Sequence, residues 1–195
     1  MKTSSFLLLL LLTQAGNAQN WKKQYDHVDE CSCGLSLVGK GAKHGFVDKE
    51  GKLVVQLQYD DALPFAEGMA AVMNDGRWGY IDSTGALVIP LQYSEAFSFH
   101  EGLAAVGKGD HYGHINHQGK LVIPMEYSQT RSFSEGLAPV CRNGHWGYID
   151  SSGKLVLPFK YLFADSFADG IARVMLNGAM THIDKQGKVV EVKDE

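Results

Sequence analysis

A period of 34 residues runs through this chain without insertion or deletion, and it limits the possible folds more than any other feature. Set in rows of that length, the sequence aligns Gly34, Gly68, Gly102, Gly136 and Gly170 in one column and Gly51, Gly85, Gly119, Gly153 and Gly187 in another. An aromatic-glycine pair recurs as Trp78-Gly79, Tyr112-Gly113 and Trp146-Gly147, with His44-Gly45 in the first row and Met180-Thr181 in the last. Such self-similarity means one supersecondary unit used repeatedly, each copy burying its apolar surface against its neighbours. Degenerate first and last rows suit terminal units, which meet water on one side.

A helical hairpin can also repeat at this length, so composition has to decide. Each row carries several glycines, and the middle three carry Pro90, Pro124 and Pro158. Interior glycine costs a helix about 1 kcal/mol and proline about 3 kcal/mol. The apolar residues also fall in short runs without helical spacing, which excludes a helical array.

The unit reads instead as three short strands. The first is Leu103 to Val106, with Leu35 to Val38, Met69 to Val72, Leu137 to Val140 and Ile171 to Val174 in register. The second is Trp78 to Asp82 and the third Leu87 to Ile89, both rich in β-branched and aromatic residues. Between them lies Asp82-Ser83-Thr84-Gly85, repeated as Asp48 to Gly51, Asn116 to Gly119, Asp150 to Gly153 and Asp184 to Gly187. An Asp or Asn at the start of such a turn accepts backbone N–H bonds and the glycine takes the left-handed position, so this acidic column is turn chemistry. One carboxylate per turn falls far short of the 6–8 oxygens that calcium takes. The connector to the next row carries Tyr59, Tyr93, Tyr127 and Tyr161 in one column and Phe65, Phe99, Phe133 and Phe167 in another, expected to cement adjacent units.

The predicted fold is therefore all-β: tandem three-stranded β-meander repeats forming an open solenoid or superhelical sheet, with a small β-propeller as the alternative. The units are 34–67, 68–101, 102–135, 136–169 and 170–195. Ahead of them, residues 1–18 read as a signal peptide, from Lys2, the apolar run Phe6 to Leu12 and the small residues Gly16-Asn17-Ala18, with 19–33 as an N-terminal segment. The run is too short and too soon broken by Thr13 and Gln14 to span a bilayer. These features predict a secreted or periplasmic protein, cleaved after Ala18.

With the aromatic-glycine pair, the Asp-x-x-Gly turn, the Leu-Val-Ile-Pro run and the Phe-x-Glu-Gly connector, the chain resembles the bacterial WG-repeat (KWG-repeat) family over residues 34 to 190. The fullest copies are Trp78-Gly79-Tyr80-Ile81-Asp82 and Trp146-Gly147-Tyr148-Ile149-Asp150. The first copy departs at His44, Cys33 and Gln56, and the fifth loses both Trp and Gly. The resemblance implies a tandem β-repeat scaffold of variable copy number, and it carries no catalytic residues.

The net charge of −4 over the full chain leaves no concentrated basic face, so nucleic acid is not an expected partner. The expectation is a non-catalytic monomer without cofactor that binds a protein or other extended polymer through residues that vary between copies: Arg77, His111, His145 and Arg173. A metal is weakly suggested by His27, Cys31 and Cys33, soft ligands at close spacing but lacking a fourth. His111, His114 and His117 cannot share an ion on an extended strand, where alternate residues face opposite sides. Cys141 with His145 is the one Cys/His pairing for nucleophilic catalysis, but Cys141 stands in an apolar column where a thiolate is disfavoured. A Cys31–Cys33 disulfide would close a strained loop and is disfavoured too.

Overall fold

The computed structural model describes residues 20–191; the leader read at 1–18 lies outside them. Five four-stranded antiparallel sheets follow one another along the chain. The first pairs His27–Val28, Leu35–Lys40, Lys43–Asp48 and Leu53–Tyr59 in that order, and the second Asp61–Ala62, Met69–Asn74, Arg77–Asp82 and Leu87–Tyr93. The third holds Glu95–Ala96, Leu103–Lys108, His111–Asn116 and Leu121–Tyr127. The fourth holds Gln129–Thr130, Leu137–Arg142, His145–Asp150 and Leu155–Tyr161, and the fifth Phe163–Ala164, Ile171–Leu176, Ala179–Asp184 and Val189–Val190. The array is not closed: among the described residues, hydrogen bonds between sheets join only sequence neighbours, such as Glu67 to Gly102 and Glu101 to Gly136.

The all-β repeat is as expected, with one correction. Each sheet has four strands and not three, because two residues of the connector pair with the second strand, as Asp61 with Met73 and Ala62 with Val72. A two-residue strand carries no alternation, so nothing in its sequence announces it. The N-terminal segment likewise supplies the first strand of the first sheet, His27–Val28, and is no loose leader.

Turn chemistry accounts for the unit's shape. The second and third strands join through two-residue hairpins, among them Asp75-Gly76, Asn143-Gly144 and Asn177-Gly178, with positive φ at both residues. Those mirror-image turns match the right-handed twist of the flanking strands. In the next turn Asp82 Oδ1 accepts N–H bonds from Thr84 at 2.9 Å and Ala86 at 3.1 Å. The hydroxyl of Thr84 donates to the same oxygen, and these contacts hold the Asp82 carboxyl below its usual pKa.

The glycine of the aromatic-glycine pair is explained by a bulge. Trp78 lies opposite Tyr93 and Tyr80 opposite Ile89, so the fourth strand carries extra residues across Gly79. A Cβ on Gly79 would sit 2.4 Å from the Ile89 carbonyl oxygen, and one on Gly113 2.4 Å from that of Ile123. No side chain fits such a gap. In the fifth sheet the fourth strand is only Val189–Val190, pairing with Ile183 and His182, and there Thr181 stands in the glycine's place.

The sheets pack face to face, and the core lies between them in four clusters. Phe46, Val55 and Tyr59 of the first sheet meet Phe65, Ala70, Val72 and Ile81 of the second. The same positions recur at each junction, so the connector aromatics are the expected cement. Phe65 packs on Phe46 with centroids 4.7 Å apart, Phe99 on Tyr80 at 5.0 Å and Phe167 on Tyr148 at 4.9 Å. A polar latch accompanies them. Glu67, Glu101 and Glu135 adopt positive φ, a conformation costly for a side chain with a Cβ, and each carboxylate accepts the N–H of the glycine that follows the equivalent residue in the next unit. At the N-terminal end Trp21, in the short 3-10 turn Asn20–Gln24, lies on Gly51, where Val55 lies on Gly85 and Ile89 on Gly119 further along. Trp21 thus stands in for a preceding unit.

Gly79→Ala or Gly113→Ala should lower stability by about 2 kcal/mol or more, since the new methyl must displace a strand backbone. Thr181→Ala should change it by under about 0.5 kcal/mol. Urea unfolding of the three variants checks both.

Candidate functional site

The repeat is most informative where it is broken. Phe46, Tyr80, His114, Tyr148 and His182 occupy one column, and the middle three reach across to the same backbone carbonyl of the next unit's connector. Tyr80 donates its hydroxyl to Phe97 O at 2.8 Å, Tyr148 to Asp165 O at 2.7 Å, and the His114 imidazole places Nε2 3.2 Å from Arg131 O. The imidazole is shorter than a phenol, and Thr130 stands where other units have Ala62, Ala96 and Ala164, with its Oγ1 3.4 Å from the ring. His114 is fully buried and its Nδ1 has no protein partner. Burial pushes its pKa down to about 4, partly offset by the Arg131 carbonyl.

Beside this junction the first strands and connectors of the third to fifth sheets, with the third strands of the third and fourth, line an open groove of about 520 Å³. Glu95, Phe97 and Tyr112 come from the third sheet, Gln129, Arg131 and Trp146 from the fourth, and Ser166 from the fifth. Tyr112 lies flat over Gly107, whose Cβ would fall 2.9 Å from the ring, and burial and then Glu95 raise its pKa. Arg131 stands in a column that differs in every copy, with Leu63, Phe97 and Asp165. Its guanidinium lies 5.5 Å from the ring centroids of both Trp146 and Phe163, and Nε donates to Ala164 O at 3.1 Å.

A second groove of about 600 Å³ lies between the hairpins of the second and third sheets and includes Arg77, Tyr93 and Lys108. Lys108 sits 5.4 Å from the Tyr93 ring centroid and reaches Gln92 Oε1 at 3.3 Å. At the following junction Arg142 stacks on Tyr127 and pairs with Glu126. The fourth strands add an apolar ledge: Leu87, Val88, Leu121, Val122, Leu155 and Val156 are exposed in successive units.

Of the residues expected to bind ligand, Arg77, His111 and His145 are exposed and open the third strand of successive sheets, next to Trp78, Tyr112 and Trp146. Arg77 lines the second groove, while His111 and His145 line neither and adjoin Tyr112 and Trp146 of the first only along the chain. Arg173 does not join them. It belongs to the column of Leu37, Ala71, Ala105 and Pro139, which is buried between sheets until the last copy, and there it binds Asp165 at 3.2 Å on an uncovered face. His27 places Nε2 2.6 Å from Asp29, and the described residues contain no group of three or more potential metal ligands, so the structure does not bring His27, Cys31 and Cys33 together as a ligand set. All three cysteines are free, with Cys31 and Cys33 exposed. Cys141 is buried opposite Trp146, while His145 reaches only Asn143 O at 3.1 Å. Sequence reading missed Glu95, Gln129, Arg131 and Ser166; the one available signal was Arg131 in an otherwise different column.

The stacked four-stranded sheets place the protein among β-propeller and tandem β-repeat folds. Hsv2 of Kluyveromyces lactis is similar in structure, with a TM-score of 0.55 at 11% identity over 81% of this chain and 58% of that one. BamB from Moraxella catarrhalis is similar at a TM-score of 0.50 and 14% identity, over 79% of this chain and 56% of that one. The chain thus spans less than two thirds of either protein. The model of the WG containing repeat matches residues 45–78, 78–111, 112–145 and 146–178, and the chain belongs to that family. No curated protein matches it in sequence.

His114 gives the junction behind Thr130 and Arg131 a pH signature. Its native pKa, about 4, lies below the 6.5 of an exposed imidazole, so from pH 6.5 down to 4 the unfolded chain takes up a proton that the native one refuses. Stability contributed by the neutral ring is complete above that window and lost through it, by about 3 kcal/mol. The double variant His114→Tyr/Thr130→Ala restores the neighbouring units' residues. Urea unfolding at pH 7 and pH 4 should show a smaller loss for it than for the parent; equal losses would contradict the assignment.

Proposed function

We propose that this protein is an exported, non-catalytic β-repeat scaffold that binds a protein or other extended ligand in the bacterial envelope or outside the cell. The observation that carries this reading is the groove across the third to fifth sheets, where Thr130 breaks an alanine column and Gln129 and Arg131 occupy columns that differ in every copy, while the surrounding framework keeps its pattern. Framework positions that repeat serve packing; positions that differ beside an open groove are free to serve recognition. The exposed residues Arg77, His111 and His145 vary between copies at the start of successive third strands, and the exposed leucine-valine ledge offers a partner further apolar contact. Export is supported by the charged, apolar and small-residue pattern of residues 1–18. No helix among the described residues is long and apolar enough to cross a membrane. The alternative is an enzyme or metal-binding protein using an irregular copy or the His27, Cys31 and Cys33 segment; the one Cys/His candidate for nucleophilic catalysis is disfavoured because Cys141 is buried among Leu137, Trp146 and Tyr161.

A photo-crosslinking residue placed in turn at Glu95, Ser132 and His145 tests the proposal in producing cells. All three positions should trap the same partner, with Lys49, on the opposite turns, trapping none. Crosslinks distributed equally over all four positions would contradict a binding rim, and a catalytic turnover abolished by Cys141→Ser would replace the reading altogether.

A further inference from the structure

The guanidinium of Arg131 is fixed on three sides. Trp146 and Phe163 each lie 5.5 Å from it, and Nε is committed to the Ala164 carbonyl. Its nearest carboxylate among the described residues, Asp165, stands 3.9 Å from its terminal nitrogen and is already engaged by Arg173 at 3.2 Å. That separation makes an ion pair but exceeds hydrogen-bond distance, so Asp165 partly offsets the charge of Arg131 and leaves its outer N–H groups without a hydrogen bond from that carboxylate. Arg131 lines a groove together with Gln129, Ser132 and Ser166. An arginine stacked and immobilised in this way has already lost the rotamer freedom that ligand binding would otherwise cost, and its planar fork matches a carboxylate.

The surrounding charge selects what carries that carboxylate. Glu95 stands in the same groove, Asp165 flanks the guanidinium, and the whole chain is acidic, at −4. A polyanion bearing a charge on every unit would be repelled at both flanks. A polypeptide with one acid at the right place would not, and its apolar side chains would find Phe97 and Tyr112 beside it. We propose that the groove binds an extended peptide through a single carboxylate seated on Arg131. This rests on the binding-module reading and names the chemistry of its ligand.

Two random octapeptide phage libraries, one fused through the peptide C-terminus and the other ending in a free C-terminus, test this with the full mature chain. Acidic residues should be enriched at one position in the first library, or peptides from the second alone should bind if the carboxylate is terminal. The selected peptide should lose affinity about 10- to 100-fold on replacing its acid by the amide, and equally on Arg131→Leu, the residue found at position 63 of the same column. Arg131→Lys should recover only part of the loss. Unchanged thermal unfolding of both variants separates this from a folding defect.

Peptides that bind without regard to acid or to Arg131 would overturn the carboxylate site and leave the scaffold reading standing. Failure of both libraries to enrich any peptide would overturn the peptide ligand. Oligogalacturonate, titrated alongside, should not bind; Arg131-dependent binding of that polyanion would refute the charge argument.

Discussion

A single four-stranded sheet of this size has two faces and no second layer, so it cannot bury a core alone. The contact that resolves this is the connector aromatic seated on the third strand of the preceding sheet: Phe65 on Phe46, Phe99 on Tyr80, Phe133 on His114 and Phe167 on Tyr148. Each of those phenylalanines is at most 2% exposed. Everything else in the unit serves that placement. The aromatic-glycine bulge lets the fourth strand cross close over the third, the carboxylate latches fix the angle at which one connector meets the next, and small residues such as Ala70, Ala104 and Ala138 make room for the opposing face.

Ends of such an array need separate treatment, and the two ends of this one differ. Trp21 covers the first sheet in the manner of a preceding unit. At the other end no unit follows among the described residues, and the interface positions turn polar: Arg173 where others have leucine, alanine or proline, and His182 in a column that is phenylalanine or tyrosine except for His114. Polar substitution at those columns solvates a face that would otherwise invite another sheet.

Turns and packing columns were legible in the sequence because each is set by local chemistry repeated five times. Asp82 and Gly85, Tyr80 and Phe99 take the roles that their types imply. Asn143-Gly144 carried a hairpin signal that the strand pattern alone did not use. The two-residue strands were invisible, since Asp61-Ala62 and Gln129-Thr130 share neither alternation nor composition and pair only through tertiary placement. The groove was invisible for a related reason: Glu95, Arg131 and Ser166 lie about one unit apart in the chain and meet only once sheets are stacked. Arg77 and Arg173 looked alike as exposed cations, yet one opens a hairpin strand and the other sits mid-strand in the last sheet, where it shares Phe163 and Asp165 with Arg131.

If stability is carried from neighbour to neighbour, damage to one junction should stay local. Native-state hydrogen exchange on the full chain and on Phe133→Ala tests this most directly. Lost protection should concentrate in Leu103–Tyr127 and Gln129–Tyr161, the two sheets that share that phenylalanine, while Leu35–Tyr59 keeps its protection. An equal loss across all five sheets would mean that they unfold as one closed unit, which contradicts stability built junction by junction.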